Sequence, residues 1–303
     1  MSKPINIWKV TDGKQGHESQ IDGLITAIRA FREVNETIIP VNKRPSVLGM
    51  FFCWLLRKRP SKFPVGAPNL IIGAGHRTHS TLLLAKSFCG GKTVVLMKPT
   101  LPLNRFDYVI VPKHDNVQPR VNVIETQGGL NAVPFVRIKD LQTGLMLIGG
   151  KSKHYVWDDE HIAQQIQQIV DQNASVSWTL TTSRRTPETF LKFLEEIPIT
   201  VVPFEKTDAA WLLEQYRSSG KIWVTPDSVS MVYESLSSGA ITNVFSLGET
   251  DIQSRVRNGL EQLIEDKTVF SFDDWEKELE HKQLPSEFNE SARVAKIILD
   301  DIA

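Results

Sequence analysis

Only two cysteines occur in the 303 residues, Cys53 and Cys89, 36 positions apart and without paired spacing. So few exclude a disulfide framework and a cysteine-based zinc site, and they suit a reducing cytoplasm. Long hydrophobic runs are missing too. The longest, "VLGMFFCWLL" at 47–56, has ten residues, where a bilayer span needs about 20. The N-terminus carries one lysine and no long apolar core, so no signal peptide is read there. There is no GxGxxG fingerprint, no repeat of 20–50 residues and no low-complexity tract. Acidic residues are absent from Thr37 to Phe106, a stretch with eleven Lys and Arg. The zero net charge therefore hides an asymmetry: 18 basic against 8 acidic residues over 1–135, and 17 against 27 over the rest. A basic half suits an anionic partner such as a nucleotide or a phospholipid head group. Halves of opposite sign that dock on each other account for the same pattern. Aromatic–basic interleaving and helix-turn-helix signatures are both missing, so no nucleic-acid partner is expected.

What the chain does contain is regular alternation. Short apolar runs read as strands at 5–10, 37–41, 69–73, 93–97, 107–111 and 121–125. A second series follows at 145–150, 175–182, 199–204, 221–225 and 241–245. Helical segments lie between, such as 17–31 with Ile21, Leu24, Ile25, Ile28 and Phe31 on one face, and 158–171 with Ile162, Ile166, Ile169 and Val170. Nearly continuous apolar strands alternating with helices predict parallel sheets covered on both faces. Eleven strands in two runs predict an α/β chain of two doubly wound Rossmann-like domains, 1–135 and 136–303, dividing near 128–140.

Parallel sheets bind ligands beyond the carboxyl ends of their strands, and polar residues cluster there. After the first strand comes "TDGKQGHESQ", where Asp12, Gly13, Lys14, Gly16, His17 and Gln20 turn into a helix. The two glycines permit close backbone approach, Lys14 is a mobile cation and His17 opens the helix. A plain turn with an exposed histidine fits the same residues. After the third strand, Gly73 and Gly75 open a helix whose expected first turn holds His76, Arg77, Thr78, His79 and Ser80. Cations there oppose the helix dipole unless an anion binds. His76 and His79 at i, i+3 lack a nearby carboxylate or thiolate, so no metal is assigned.

The second half repeats the pattern. Gly149, Gly150 and Lys151 follow one strand, and Ser183, Arg184 and Arg185 follow the next. Thr186 reads as an N-cap and Pro187 as a first-turn residue. Amide N–H groups and guanidinium forks at a helix start form a plausible diphosphate cradle; a capped helix with solvated arginines is the alternative. In "TPDSVSMVYESLSSG" a helix beginning at Asp227 and Ser228 buries Val229, Val232, Tyr233 and Leu236. A second stripe then carries Asp227, Ser230, Met231 and Glu234. A glutamate two turns into such a helix can accept ribose hydroxyls; an ordinary amphipathic helix fits equally.

"DGKQGHESQ", "GAGHRTH", "TTSRRTP" and "TPDSVSMVYESLSSG", in this order, resemble the mitochondrial fission protein family over nearly the whole chain. That family is in turn similar to the GT-B glycosyltransferases and the UDP-sugar 2-epimerases, most of all to the enzyme that adds N-acetylglucosamine to a lipid-linked peptidoglycan precursor. The resemblance implies two domains facing across a cleft, with the final helix at 291–303 crossing back to the N-terminal domain. It places the acceptor against Gly13, Lys14, Gly16, Gln20, Gly75, His76 and Arg77. The nucleotide goes with the C-terminal domain, Glu234 on its ribose, and His17 and Asp12 are the catalytic candidates. No cofactor or metal is implied, the sugar nucleotide (a UDP-sugar, for example) being the substrate. A glycosyltransferase acting on a cell-envelope or lipid-linked acceptor is the favoured function. The alternatives are a non-catalytic, membrane-associated scaffold of the same family and a nucleoside-diphosphate-sugar epimerase. One departure stands out: the usual Gly-rich run of the lipid glycosyltransferase is replaced by Asp-Gly-Lys-Gln-Gly.

A last feature is "NKRPSVLGMFFCWLLRKRPSKF" at 42–63. Its apolar block is flanked by Lys43, Arg44, Arg57, Lys58, Arg59 and Lys62. It reads as a core helix with basic ends, or as an interfacial patch holding a cytoplasmic protein on an anionic membrane surface.

Overall fold

The computed structural model describes residues 3–41, 63–252, 255–277 and 287–302. The basic-flanked block at 43–62 lies outside the described residues. Two compact units divide the chain. One is Met1–Ala132 with Glu290–Ala303 and the other Val133–Asn289.

The first unit is built on six parallel strands, β1 (Ile5–Thr11), β2 (Val34–Pro40), β3 (Leu70–Ala74), β4 (Lys92–Leu96), β5 (Tyr108–Pro112) and β6 (Val123–Thr126), in the order β2-β1-β3-β4-β5-β6. Helices α1 (Gln15–Phe31) and α2 (His79–Cys89) connect them. Helix α1 packs Ile21, Leu24, Ile25 and Ile28 against Ile7, Leu70 and Ile72. Phe31, expected on that face, is 53% exposed, because the helix ends there before β2.

The second unit holds β7 (Asp140–Leu147), β9 (Ser177–Thr181), β10 (Thr200–Val202), β11 (Ser219–Val224), β12 (Ile241–Val244) and β14 (Phe270–Ser271), again parallel, in the order β10-β9-β7-β11-β12-β14. A short antiparallel pair, β8 (Tyr155–Val156) with β13 (Gly248–Glu249), links the loops after β7 and β12. The helices are α3 (Asp159–Gln172), α4 (Ala209–Ser218), α5 (Val229–Ser238), α6 (Arg255–Glu265) and the short α7 (Phe272–Lys277). Helix α3 buries Ile162, Ile166, Ile169 and Val170, and α5 buries Val229, Val232, Tyr233 and Leu236.

Helix α8 (Glu290–Asp301) belongs to the first unit. Val294, Ala295, Ile298 and Leu299 join the core that α1 builds. Ser291 Oγ donates to the Asn131 carbonyl at 2.7 Å, and Lys92 Nζ to the Asp301 carboxylate at 2.7 Å. The chain break between units thus falls at Ala132–Val133 rather than 135–136, and the last helix leaves the second stretch.

Each sheet has one switch point, where successive connections leave in opposite directions. In the first unit it lies between β1 and β3, in the second between β7 and β11. Loops that follow such strands form the ligand crevice of open parallel sheets.

Candidate functional site

At the first switch point, Asp12 and His17 form a pair. Asp12 Oδ1 lies 3.0 Å from His17 Nδ1 and accepts the Lys14 amide at 3.2 Å. The Asp12 side chain is 1% exposed and its Oδ2 is buried without a hydrogen bond among the described residues. Burial pushes this carboxyl up, but the His17 and Lys14 N–H groups outweigh it and hold it below the ordinary range. An ionised carboxylate only accepts, so Nδ1 is the nitrogen that carries a proton, and in the neutral ring the lone pair lies on Nε2.

A lysine anchors the helix that carries this imidazole, and a glycine lies against its ring. Lys9 on β1, with a side chain 8% exposed, reaches Glu18 at 2.9 Å and Asp22 at 2.5 Å, while Thr11 donates to Glu18. Burial lowers the lysine pKa, yet the two carboxylates raise it overall. Across the switch point, Gly75 at φ +79° lets the ring rest on its backbone. A Cβ there would lie 2.2 Å from His17 Cε1.

The remaining first-unit candidates surround this pair unevenly. Gly13 takes φ +77° and donates its amide to Thr11 Oγ1 at 3.0 Å. Lys14 is the exposed N-cap of α1, Gly16 sits exposed in its first turn, and Gln20 lies beside Gly129. His76 and Arg77 are exposed, but in a turn before α2, which starts only at His79. The helix is delayed because Thr78 Oγ1 bonds back to the Gly75 carbonyl at 2.8 Å. His79 is buried edge-on against Phe106, its pKa lowered by burial and then by His76. Among the described residues no group of three or more His, Cys, Asp or Glu side chains is placed to hold a metal.

At the second switch point the three expected loops interlock. Gly149 donates to Thr225 Oγ1 at 2.7 Å, and its carbonyl accepts from Ser183 Oγ at 2.5 Å and from Thr186. Gly150 donates to Asp227 Oδ2 at 3.0 Å, and Lys151 N to the Arg185 carbonyl at 3.3 Å. Ser183 N is taken by Thr186 Oγ1 and Arg185 N by Ser183 Oγ. Arg185 Nη2 donates to Ser228 Oγ and lies 2.8 Å from Asp227 Oδ2.

These bonds correct the sequence reading. Most amides expected to face an anion are spent within the loops. Thr186 does not cap a helix forward but bonds back to Gly149, and the segment after it, Glu188–Leu194, is a 3₁₀ helix. Helix α5 starts at Val229 with Ser228 as N-cap, not at Asp227. Arg184 and Lys151 are exposed, and their side chains have no partner among the described residues. Ser230 is exposed in the first turn of α5, and Met231 packs on the unit's core.

Glu234 is not brought to these loops. Tyr216, in the last turn of α4, donates to its Oε2 at 2.9 Å, and burial raises its pKa. Thr225, which the sequence reading missed, and Thr186, which it took for a helix cap, hold the loops together. The available signal was a threonine at or just past a strand end.

The class of protein follows from two parallel α/β units with polar loops at their switch points. It is the GT-B-like fold of glycosyltransferases and sugar-nucleotide epimerases. A protein of Listeria monocytogenes assigned as a UDP-N-acetylglucosamine 2-epimerase superposes with TM-score 0.60 at 10% identity, covering 99% of this chain and 96% of that one. The E. coli heptosyltransferase WaaC with ADP gives TM-score 0.50 at 10% identity, covering 99% and 100%. The chain belongs to the mitochondrial fission ELM1 family, whose model matches residues 15–302. In sequence it is similar to the uncharacterized protein RP120 of Rickettsia prowazekii (strain Madrid E), 24% identical over 97% of this chain and 98% of that protein.

Proposed function

We propose that the protein is a metal-independent glycosyltransferase that draws on a sugar nucleotide and acts on a hydroxyl of a cell-envelope or lipid-linked acceptor. The observation that carries this reading is the Asp12–His17 pair, an imidazole oriented through Nδ1 with Nε2 left as the base. Nε2 takes the acceptor hydroxyl's proton as the oxygen attacks the anomeric carbon, and the nucleoside diphosphate leaves with inversion. Charge developing on the leaving group is met by the exposed Arg184 and Lys151 and the first turn of α5. Side-chain cations in these roles make a divalent ion unnecessary. The heptosyltransferase and epimerase likenesses support the donor class. The test is a thermal-shift and calorimetry panel of UDP-, ADP- and GDP-sugars, followed by release of nucleoside diphosphate with a lipid extract as acceptor. No stabilisation by any sugar nucleotide would sink the reading.

The internally satisfied loop amides favour one second reading, a non-catalytic family scaffold that keeps the fold; the same blank panel would select it. Among the described residues no helix is long and apolar enough to cross a membrane. Docking on anionic lipid through 43–62 is proposed from the sequence, each flanking cation contributing on the order of 1 kcal/mol. Co-sedimentation with anionic liposomes should fall as salt rises and in an Arg57→Glu, Lys58→Glu, Arg59→Glu variant. Equal, negligible sedimentation with neutral and anionic vesicles would remove the membrane from the proposal.

A further inference from the structure

The second switch point contains a negative charge where a phosphate site would be expected to have none. Asp227 has a side chain 0% exposed, and its Oδ2 takes the Gly150 amide at 3.0 Å, the Arg185 guanidinium at 2.8 Å and the Ser228 hydroxyl at 3.3 Å. An amide, a guanidinium and a hydroxyl are the donors that hold a phosphate oxygen elsewhere. Its Oδ1 is buried with no hydrogen bond among the described residues. The backbone has been shaped around it. A Cβ on Gly149 would lie 2.2 Å from Asp227 Oδ2, and one on Gly150 2.1 Å from the Arg185 carbonyl carbon.

We propose that Asp227 is a resident anion of these loops and sets the charge class of their ligand. That ligand is a diphosphate esterified at both ends, as in a sugar nucleotide, in preference to a nucleoside diphosphate with a free terminal phosphate. The inference rests on the reading above that these loops hold the diphosphate. Its physics is Coulombic. Asp227 already neutralises Arg185, so Arg184 and Lys151 remain for the ligand, and a further negative charge on the distal phosphate meets the buried carboxylate. Near neutral pH a terminal phosphate, whose second pKa is about 6, carries that further charge, and a diester does not. Burial keeps solvent from screening the repulsion. The consequence for turnover is direct, since the product differs from the donor by the charge that Asp227 disfavours, so release is favoured once the glycosyl bond is broken.

Calorimetry with UDP-N-acetylglucosamine against UDP, and ADP-glucose against ADP, at about pH 7.5 tests this. Wild-type protein should bind at least one diester as tightly as its nucleoside diphosphate, or tighter. The isosteric Asp227→Asn should tighten the nucleoside diphosphate by about tenfold or more while moving the diester less than about threefold, the difference being one unit charge at short range. A wild-type preference of tenfold or more for the nucleoside diphosphate in both pairs overturns the proposal. So does an Asn variant, folded by circular dichroism and melting, that shifts both ligands equally. Should that variant not fold, the wild-type ratio decides alone. Failure of the underlying reading looks different: neither ligand binds wild-type protein, or Arg184→Gln leaves both affinities unchanged. Either result removes this inference with it.

Discussion

The loops after β1 and β7 occupy equivalent positions in their sheets, yet they hold their polar groups in different ways. After β7 the donors and acceptors are spent on one another: Gly149 on Thr225, Gly150 on Asp227, Arg185 on Ser228. After β1 the network stops short, with Asp12 holding one nitrogen of His17 and nothing among the described residues hydrogen-bonded to the other. The first arrangement is a frame that presents two cations without a partner among the described residues, and the second is, on the proposed function, an oriented base. A frame suits holding a ligand whose charge is constant. A base must keep one valence open, because its work is to change protonation.

The comparison breaks most visibly at His17. His17→Ala should cut turnover by roughly 10²–10⁴-fold with sugar-nucleotide affinity unchanged, since the base contributes to proton transfer and not to donor binding. Asp12→Asn should reduce turnover as well, by releasing the tautomer. Steady-state kinetics beside calorimetry separate the two quantities, and a wild-type rate in His17→Ala would return the loop to a plain turn.

Lys139 probes the frame from behind. It is buried, donates to the Tyr216 and Arg217 carbonyls at 2.6 and 3.0 Å, and is pushed by burial down to about 8 from an ordinary 10.5. Between those values the unfolded chain binds the extra proton, so stability rises with pH across that window, by on the order of 3 kcal/mol. Denaturant midpoints from pH 7.5 to 10 should climb for wild type more steeply than for Lys139→Met. Parallel curves would show that the lysine is solvated. Tyr216 and Tyr233, raised by burial, act in the opposite sense only above pH 10.

Gly75→Ala attacks the contact between the two first-unit loops. The new Cβ meets the His17 ring, and φ +79° is strained for any residue but glycine. Stability should fall by about 1–3 kcal/mol and turnover with it, whereas Gly16→Ala, with open space around it, should leave stability near wild type. Equal melting temperatures for Gly75→Ala and wild type would mean that the ring sits elsewhere.

The smallest effect sharpens the assignment in the second unit. Arg184→Ala should weaken sugar-nucleotide binding by about 1–3 kcal/mol without a change in melting temperature, the range for hydrogen bonds to a charged group. Glu234→Gln should do the reverse, leaving affinity alone and lowering stability slightly through Tyr216. Loss of affinity in Glu234→Gln would restore it to the ribose.

All eleven strands read from apolar runs are present, those buried on both faces because such a strand must be apolar throughout, while β7 begins at Asp140, ahead of the expected 145, because its first residues are exposed. The three short strands β8, β13 and β14 escaped, since two residues make no period. Helix stripes such as Ile162, Ile166 and Ile169 were legible for the same reason, while helix starts were not. Thr186 looked like an ordinary capping residue, and its hydroxyl went to Gly149 in another loop; Thr78, expected inside a first turn, bonds back to Gly75.

By itself the sequence determined the alternation of strand and helix, two parallel sheets, and the set of polar residues at strand ends. Hydrophobic period and length suffice for that. Strand order was decided only in three dimensions, and with it which loops meet. The imidazole of His17 rests on Gly75 because β3 pairs with β1 on the side opposite β2, and Asp227 reaches Gly150 because β11 pairs with β7 on the side opposite β9. Local propensity has no means to encode such contacts between distant segments. They depend on which sheet edge each helix crosses, and on the hydrogen bonds that buried polar groups must find once they are there.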